Sequence, residues 1–317
     1  VRIAWGSDDP LKWELTTLAS GSEAPSAEDV DIADADGDGW PDIVVACELA
    51  HLIYFKNPAS NHRSVRWKRT IPEISLNRGS FIRVFFADFN QDGKVEVVAA
   101  NKGAENPEVN DAPLNNISIY QLPQDPLEGS KWKELVLTQV RIPINSQPVD
   151  LDLDGDMDIV VGSRGEKRIL WLENLGNFKF TEHDINFSTD IDKDSWITGF
   201  NMDYADLNGD GRLDIVSSVW PSSVYALFQP AEPSDKWNIK KIGSIEPDML
   251  VSVSLADIDG DGDKDIFSGS YSLGSRDKDD DNTSNKALGS VVWFENKKSD
   301  WLKNNILRRK RGMYDKW

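Results

Sequence analysis

The stretch Asp257-Ile258-Asp259-Gly260-Asp261-Gly262-Asp263-Lys264-Asp265 carries oxygen-bearing side chains at positions 1, 3, 5 and 9 of a nonapeptide, with glycine at position 6. The pattern recurs at Asp34–Asp42 (DADGDGWPD), Asp88–Glu96 (DFNQDGKVE), Asp150–Asp158 (DLDLDGDMD) and Asp206–Asp214 (DLNGDGRLD), with starts roughly fifty to sixty residues apart. A hard cation such as calcium takes six to eight oxygens, and a short loop wraps it when alternate side chains turn inward and a glycine allows the sharp bend. Each copy meets both conditions.

Position 7 holds Trp40, Lys94, Asp156, Arg212 and Asp263. A side-chain ligand would not vary in this way, so position 7 is expected to offer its backbone carbonyl, as the seventh position of an EF-hand loop does. An EF-hand also needs a bidentate glutamate at position 12 and flanking helices; here position 12 is Val45, Ala99, Val161, Ser217 or Ser268, and the flanks read as strands. Solvated Asp/Gly turns between strands are the plain alternative. Five copies with glycine at position 6 and Ile or Val at position 10 (Ile43, Val97, Ile159, Ile215, Ile266) favour metal. The expected ligands are Asp34, Asp36, Asp38, Trp40 and Asp42; Asp88, Asn90, Asp92, Lys94 and Glu96; Asp150, Asp152, Asp154, Asp156 and Asp158; Asp206, Asn208, Asp210, Arg212 and Asp214; and Asp257, Asp259, Asp261, Asp263 and Asp265. About five Ca2+ ions are implied.

The net charge of −19 over 317 residues comes largely from these loops, and five divalent ions would offset about half of it. An acidic chain of this kind is a poor nucleic-acid binder. Cys47 is the only cysteine, within the stretch IVVACELA, and is expected in a buried strand. Calcium sites without thiol chemistry suit an extracellular or periplasmic location. No apolar run reaches membrane-spanning length, and VRIAWGSDD does not read as a signal peptide, so a secretory signal is expected upstream or removed.

Each loop is preceded by one strand-like segment and followed by three, as in IVVGS, RILWLEN and FKFTEHDI after the third, with turn residues between them and no helical period. Four-stranded units repeated in series predict an all-β fold, a β-propeller, since each small sheet can bury its faces only against neighbouring sheets. One domain over 1–317 is expected, with a partial unit at 1–20 and repeats near 27–72, 80–139, 144–186, 196–243 and 249–308. Five complete units and a stub suggest a parent propeller of six to eight blades, or a ring closed by combining both termini, over a closed five-blade ring with an extra hairpin; 311–317 reads as the lead-in to another first strand. Small residues before the loops (Ala33, Ala87, Val149, Ala205, Ala256) suit an innermost strand. Aromatics on the third strand (Tyr54, Tyr120, Trp171, Tyr225, Trp293) and starting the fourth (Trp67, Trp132, Phe178, Trp237, Trp301) suit packing between sheets.

Loops of the form D-x-[DN]-x-D-G-x-x-[DE], followed by a short apolar strand and a W-[FLY]-E-N-like strand, resemble the FG-GAP/VCBS-type calcium-binding β-propeller repeats found in integrin α-subunit heads and in fungal and bacterial sugar-binding or sugar-modifying proteins. No clear Phe-Gly or Gly-Ala-Pro signature accompanies them. The resemblance implies structural metal loops between first and second strands on one face of a ring, with ligands at the opposite face, the axis or the clefts between blades.

The connections from second to third strands should emerge opposite the loops. They carry Glu48, His51, Arg164, Glu166 and Trp220, and two are long, Asn101–Asn115 and Tyr271–Leu288. The Asp279–Asp281 run lacks the loop spacing and reads as a solvated charge run. Of the three histidines, His62 lies in a polar linker and His183 on an outer strand; His51 could serve as a general base beside Tyr54 or Arg164, against the reading of a surface or packing residue. Asn116, Asn186 and Asn282 stand in glycosylation sequons. No phosphate loop, nucleophile elbow or zinc cluster is present. The expected function is a calcium-stabilised module binding a glycan or protein partner. The alternative is a carbohydrate-active lyase or dehydratase with its site opposite the metal loops and His51, Tyr54 and Arg164 as candidate catalytic groups.

Overall fold

The second strand of each unit explains the architecture, because after its opening carboxylate it holds no charged residue and is mostly apolar or small. In the computed structural model, which describes residues 1–9, 11–187, 195–246, 249–271, 290–298 and 300–308, β4 (Asp42–Cys47), β8 (Glu96–Asn101) and β12 (Asp158–Ser163) are buried at every position. A strand covered on both faces belongs inside a stack of sheets. Residues 272–288, with Asp279–Asp281 and the Asn282 sequon, and residues 311–317 lie outside the described residues.

The fold is all-β, with no α-helix among the described residues. A two-stranded hairpin, β1 (Arg2–Trp5) and β2 (Glu14–Thr17), precedes five antiparallel four-stranded meanders. The first has β3 (Ala27–Ala33), β4, β5 (Leu52–Lys56) and β6 (Lys68–Thr70); the second has β7 (Phe81–Ala87), β8, β9 (Leu114–Gln121) and β10 (Lys133–Arg141). The third has β11 (Pro143–Val149), β12, β13 (Arg168–Asn174) and β14 (Phe180–Asp184). The fourth has β15 (Trp196–Ala205), β16 (Asp214–Trp220), β17 (Ser223–Phe228) and β18 (Asn238–Ser244), and the fifth β19 (Met249–Ala256), β20 (Asp265–Tyr271), β21 (Ser290–Asn296) and β22 (Trp301–Arg308). The nonapeptide joins first to second strand in every sheet. Its register repeats: Ala33 pairs with Asp42, Ala87 with Glu96, Val149 with Asp158, Ala205 with Asp214 and Ala256 with Asp265.

The chain divides into two compact units. The first holds the hairpin, the first two sheets and most of the third; the second holds the last two sheets with residues 151–154 and 167–170. In the first unit, one face of the β3–β6 sheet packs Ile43, Val45, Phe55 and Trp67 against Leu18 and the hairpin. Its other face packs Val44, Ala46 and Tyr54 against Phe81, Val84, Val97 and Trp132 of the next sheet. In the second unit, Val216, Val224 and Ala226 meet Val253, Ile266 and Phe294 in the same way. This face-to-face stacking of small meanders is β-propeller-like. Seven of the ten expected aromatics, Tyr54, Tyr120, Trp171, Tyr225, Trp67, Trp132 and Trp237, are buried in it, while Trp293, Trp301 and Phe178 are half-buried.

First strands would otherwise present bare edges. Aspartates on them supply acceptors to the adjacent first strand instead: Asp29 accepts the Val84 N–H at 3.1 Å, Asp31 that of Phe86 at 2.7 Å, and Asp203 that of Leu255 at 2.7 Å. Carboxylates thereby do across a sheet-to-sheet gap what a ladder does within a sheet.

Candidate functional site

The acidic loops are wound by their own side chains. Position 1 accepts backbone N–H groups from positions 5 and 6: Asp34 from Asp38 and Gly39 at 3.0 and 2.9 Å, Asp88 from Asp92 and Gly93 at 3.2 and 2.8 Å. Asp206 repeats this with Asp210 and Gly211, and Asp150 and Asp257 keep the bond to position 6. Burial opposes the ionisation of Asp206, but amides from Gly211, Gly209, Asp210 and Asn208 outweigh it and hold its pKa below the usual carboxylate value. Position 5 accepts from position 7 in the first, second, fourth and fifth loops. Position 6 has φ between 83° and 100° in all five copies, a conformation open to glycine. Position 4 is left-handed as well, at Gly37, Gln91, Leu153, Gly209 and Gly260.

Position 9 is fully or almost fully buried in every copy and joins the loop to its sheet. Asp265 accepts the N–H of Ile258 at 3.0 Å and of Asn296 at 2.8 Å; Asp214 accepts those of Leu207 and Gln229 at 3.0 and 2.9 Å. Asp42 accepts from Ala35 at 3.3 Å, Asn57 at 2.8 Å and the Tyr54 hydroxyl at 2.6 Å. In three sheets an asparagine at the end of the third strand or directly after it completes the junction. Asn57, Asn174 and Asn296 each donate to the carbonyl at position 8, from Pro41, Met157 and Lys264.

Three acidic triplets, Asp34/Asp36/Asp42, Asp150/Asp152/Asp154 and Asp257/Asp259/Asp265, offer oxygens within 4.8 Å of one another. Burial, then the neighbouring Asp92 and Asp88 carboxylates, push Glu96 up to about 7; burial, then Asp210 and Asp206, push Asp214 up to about 6. Hard oxygens gathered at mutual electrostatic cost are the donor set that a divalent cation satisfies. Two loops bring their own cation: Lys56 Nζ contacts Asp36 and lies 3.6 Å from Asp38, and the Arg212 guanidinium contacts Asp210.

The other ends of the strands hold the remaining candidates. Glu48, Lys102 and Arg164 each directly follow the second strand of their sheet, and their N–H groups donate to Ser26, Ser80 and Ile142. Lys102 is 3% exposed; its ammonium contacts Glu48 and donates to the Glu105 carbonyl at 2.6 Å. Arg164 Nε is buried without a partner. His51 Nε2 is likewise unpartnered, and burial, then the charge of Arg69, lower its pKa. Tyr54 does not join them: fully buried, with its pKa raised by burial and Asp42, it is a strut of the first acidic loop. Glu166 caps the Arg141 N–H at 3.0 Å. In the second unit Trp220, 43% exposed, stacks on Trp196 at 6.0 Å, with Lys167 4.5 Å from the Trp196 ring centre. His62 is held by the Ala59 carbonyl and rests on Trp5 and Trp40. A cleft of about 600 Å³ opens between the second and third acidic loops, lined by Phe86, Asp88, Gln91, Gln147, Pro148 and Met157 among others.

Lys102 and the asparagine struts escaped the sequence reading. Aligning the repeats on position 9 would have found Lys102, because Glu48, Lys102, Arg164 and Trp220 all stand six residues beyond it.

These features define a class: an all-β repeat protein of four-stranded meanders, each opened by an acidic, cation-compatible loop. Residues 150–217 match the FG-GAP-like repeat, and the chain carries a repeat of that family. No curated protein sequence matches significantly. Among solved structures, the chain is similar to an Agrocybe aegerita lectin described as recognising non-reducing terminal N-acetylglucosamine, at 13% identity and TM-score 0.51, over 97% of this chain and 74% of the lectin. The V. cholerae biofilm matrix protein Bap1 matches at 14% identity and TM-score 0.43, over 89% of this chain and 40% of that protein. The first likeness concerns the fold. No helix among the described residues is long and apolar enough to cross a membrane.

Proposed function

We propose that the chain is a calcium-stabilised β-propeller that binds carbohydrate outside the cytoplasm, with the acidic loops as structural clamps and no catalytic duty. The position-9 carboxylate carries this reading. It is buried, bonded to the backbone of its own sheet and, in the first and fifth loops, grouped with the carboxylates of positions 1 and 3. An ion held there would stiffen the sheet. The ligands in this reading are the carboxylates and amides at positions 1, 3, 5 and 9 together with the carbonyl of position 7 in about five loops.

Carbohydrate is favoured over a protein partner by three supports. The fold likeness is to a lectin. Trp220 offers an exposed indole of the kind on which sugar rings stack. The cleft between the second and third loops has the size of a small-molecule site and a mixed polar lining. Cys47, buried and with its pKa raised by burial to about 11, contributes no thiol chemistry.

The test is a glycan array probed in calcium and in EGTA. Calcium-dependent capture of a defined set of saccharides supports the proposal; uniform absence of binding in both buffers overturns it. Incubation with acidic polysaccharides should give no new ultraviolet absorbance from unsaturated sugars, and its appearance would make the chain a lyase.

A further inference from the structure

Arg164 is a half-buried arginine directly after the second strand of the third sheet. Its Nε is buried and makes no hydrogen bond. Burial, the larger influence, lowers its pKa, and the carboxylate of Glu48 acts on it only through space. An arginine loses strong hydration when buried and normally recovers it through carboxylates or carbonyls. Here the nearby carboxylate is already engaged, since Glu48 is the contact of the Lys102 ammonium. Lys102 uses two of its three donors, on Glu48 and on the Glu105 carbonyl.

The local charges do not balance. Lys102 and Arg164 contribute two positive charges and Glu48 one negative, so a single positive charge is left over in a protein whose net charge is −19. The three groups are presented alike, each on the first residue after the second strand, with its backbone N–H tied to the entry of the first strand. Such anchoring holds side chains at the end of a rigid strand, where a binding group gains most from being pre-positioned.

We infer that Arg164, with Lys102 and Glu48 beside it, forms a subsite for one monoanionic carboxylate borne by a saccharide, that is, for uronic acid residues. The guanidinium fork matches a carboxylate bidentately, whereas an ammonium meets it as a point charge. Glu48 sets the capacity at one charge by neutralising one of the two cations. This inference rests on the carbohydrate-binding reading and adds the chemical class of the sugar.

The experiment is calorimetric titration of the full chain, in calcium, with D-glucuronate, D-glucose and inorganic sulfate. D-Glucuronate should bind on the order of 10-fold more tightly than D-glucose. Arg164→Gln should abolish that preference, and Arg164→Lys should keep only part of it. Glu48→Gln, which leaves an acceptor for Lys102 but removes a negative charge, should tighten glucuronate binding several-fold, a gain that a folding defect would not produce. Equal affinity for glucuronate and glucose, or a preference that survives Arg164→Gln, overturns the inference. Sulfate binding as tightly as glucuronate overturns the saccharide assignment. Capture of neutral glycans without any uronate preference sinks this inference and spares the reading it rests on; absence of all saccharide binding sinks both.

Discussion

Asp265→Asn separates the two tasks assigned to position 9. In the folded protein one Asp265 oxygen accepts the Asn296 N–H at 2.8 Å and the other the Ile258 N–H at 3.0 Å, and the residue is fully buried. An asparagine has the same shape but one acceptor oxygen, so one of those amides would face an NH2 group. Losing one hydrogen bond to a charged acceptor and leaving a buried N–H unpaired costs about 3 kcal/mol. That cost is independent of metal and should appear in full in EGTA. In calcium the same variant also loses a cation ligand. A site held at a hundredfold over its dissociation constant contributes about 2.7 kcal/mol, so the total cost should approach 6 kcal/mol. The control is Asp259→Asn in the same loop, at an exposed position whose one backbone bond, from Asp261 at 3.2 Å, an asparagine can still accept. It should leave the stability in EGTA unchanged and shrink only the gain from calcium. The assay is urea unfolding followed by tryptophan fluorescence in both buffers, with equal m-values as the check on comparability. A cost below about 1 kcal/mol for Asp265→Asn in EGTA would refute the strut. An equal cost for Asp259→Asn in both buffers would refute its service as a metal ligand.

Chelation of the intact protein should lower the melting temperature by on the order of 5 °C for each occupied loop, and a scan shifted by less than about 1 °C would contradict metal clamping. Asn174→Leu removes donors to Phe89 and Met157 at 2.9 and 3.0 Å and an acceptor for the Gly176 N–H; denaturation should show a loss of about 3 kcal/mol with or without calcium. Leu153, 53% exposed and at φ 62°, occupies a backbone region that suits asparagine better, so Leu153→Asn should stabilise by about 0.5 to 1 kcal/mol, and destabilisation would show that its side chain is doing unseen packing. Lys56→Met frees Asp36 and Asp38 of a built-in cation; terbium luminescence sensitised by Trp40 should report about tenfold tighter binding in the first loop, and unchanged affinity would show that Lys56 does not compete.

Much of this was legible because the loops and second strands impose local requirements on single residues. Glycine at position 6 marks a positive φ, the mostly apolar run after position 9 marks a buried strand, and recurrence roughly every fifty to sixty residues marks a repeat. Position 4 was not legible: its φ is positive in all five loops, but two copies carry Gln91 and Leu153, and a strained residue leaves no compositional sign. Position 9 was half legible. The recurrence of its carboxylate was visible, whereas its bonds to the end of the third strand depend on a contact 15 residues away for Asp42 and 31 away for Asp265. Tyr54 shows the same limit in reverse. Three residues after His51 in sequence, it looked available for chemistry, but a strand sends nearby residues to different environments, and this one reaches the loop at the far end of its sheet. Nor could periodicity show that Asp29, Asp31 and Asp203 spend their charge on amides of an adjacent sheet.

The repeat separates positions that must stay alike from positions that are free to differ. At position 9 the backbone bonds require a carboxylate in every sheet, and each sheet has one. Six residues further on, in the first three sheets, the backbone is equally constrained, by an N–H donated to the entry of the first strand, but the side chain leaves the ladder and meets no such demand. There the chain places Glu48, Lys102 and Arg164, which differ in charge and kind, and the same position of the fourth sheet is Trp220. Stability alone gives no reason to bury an ammonium and part of a guanidinium at that column, since an apolar residue would avoid their desolvation. A scaffold that fixes the backbone at this column and leaves the side chain open is suited to display binding groups, and the unmatched guanidinium of Arg164 is the one whose chemistry most narrows what is bound.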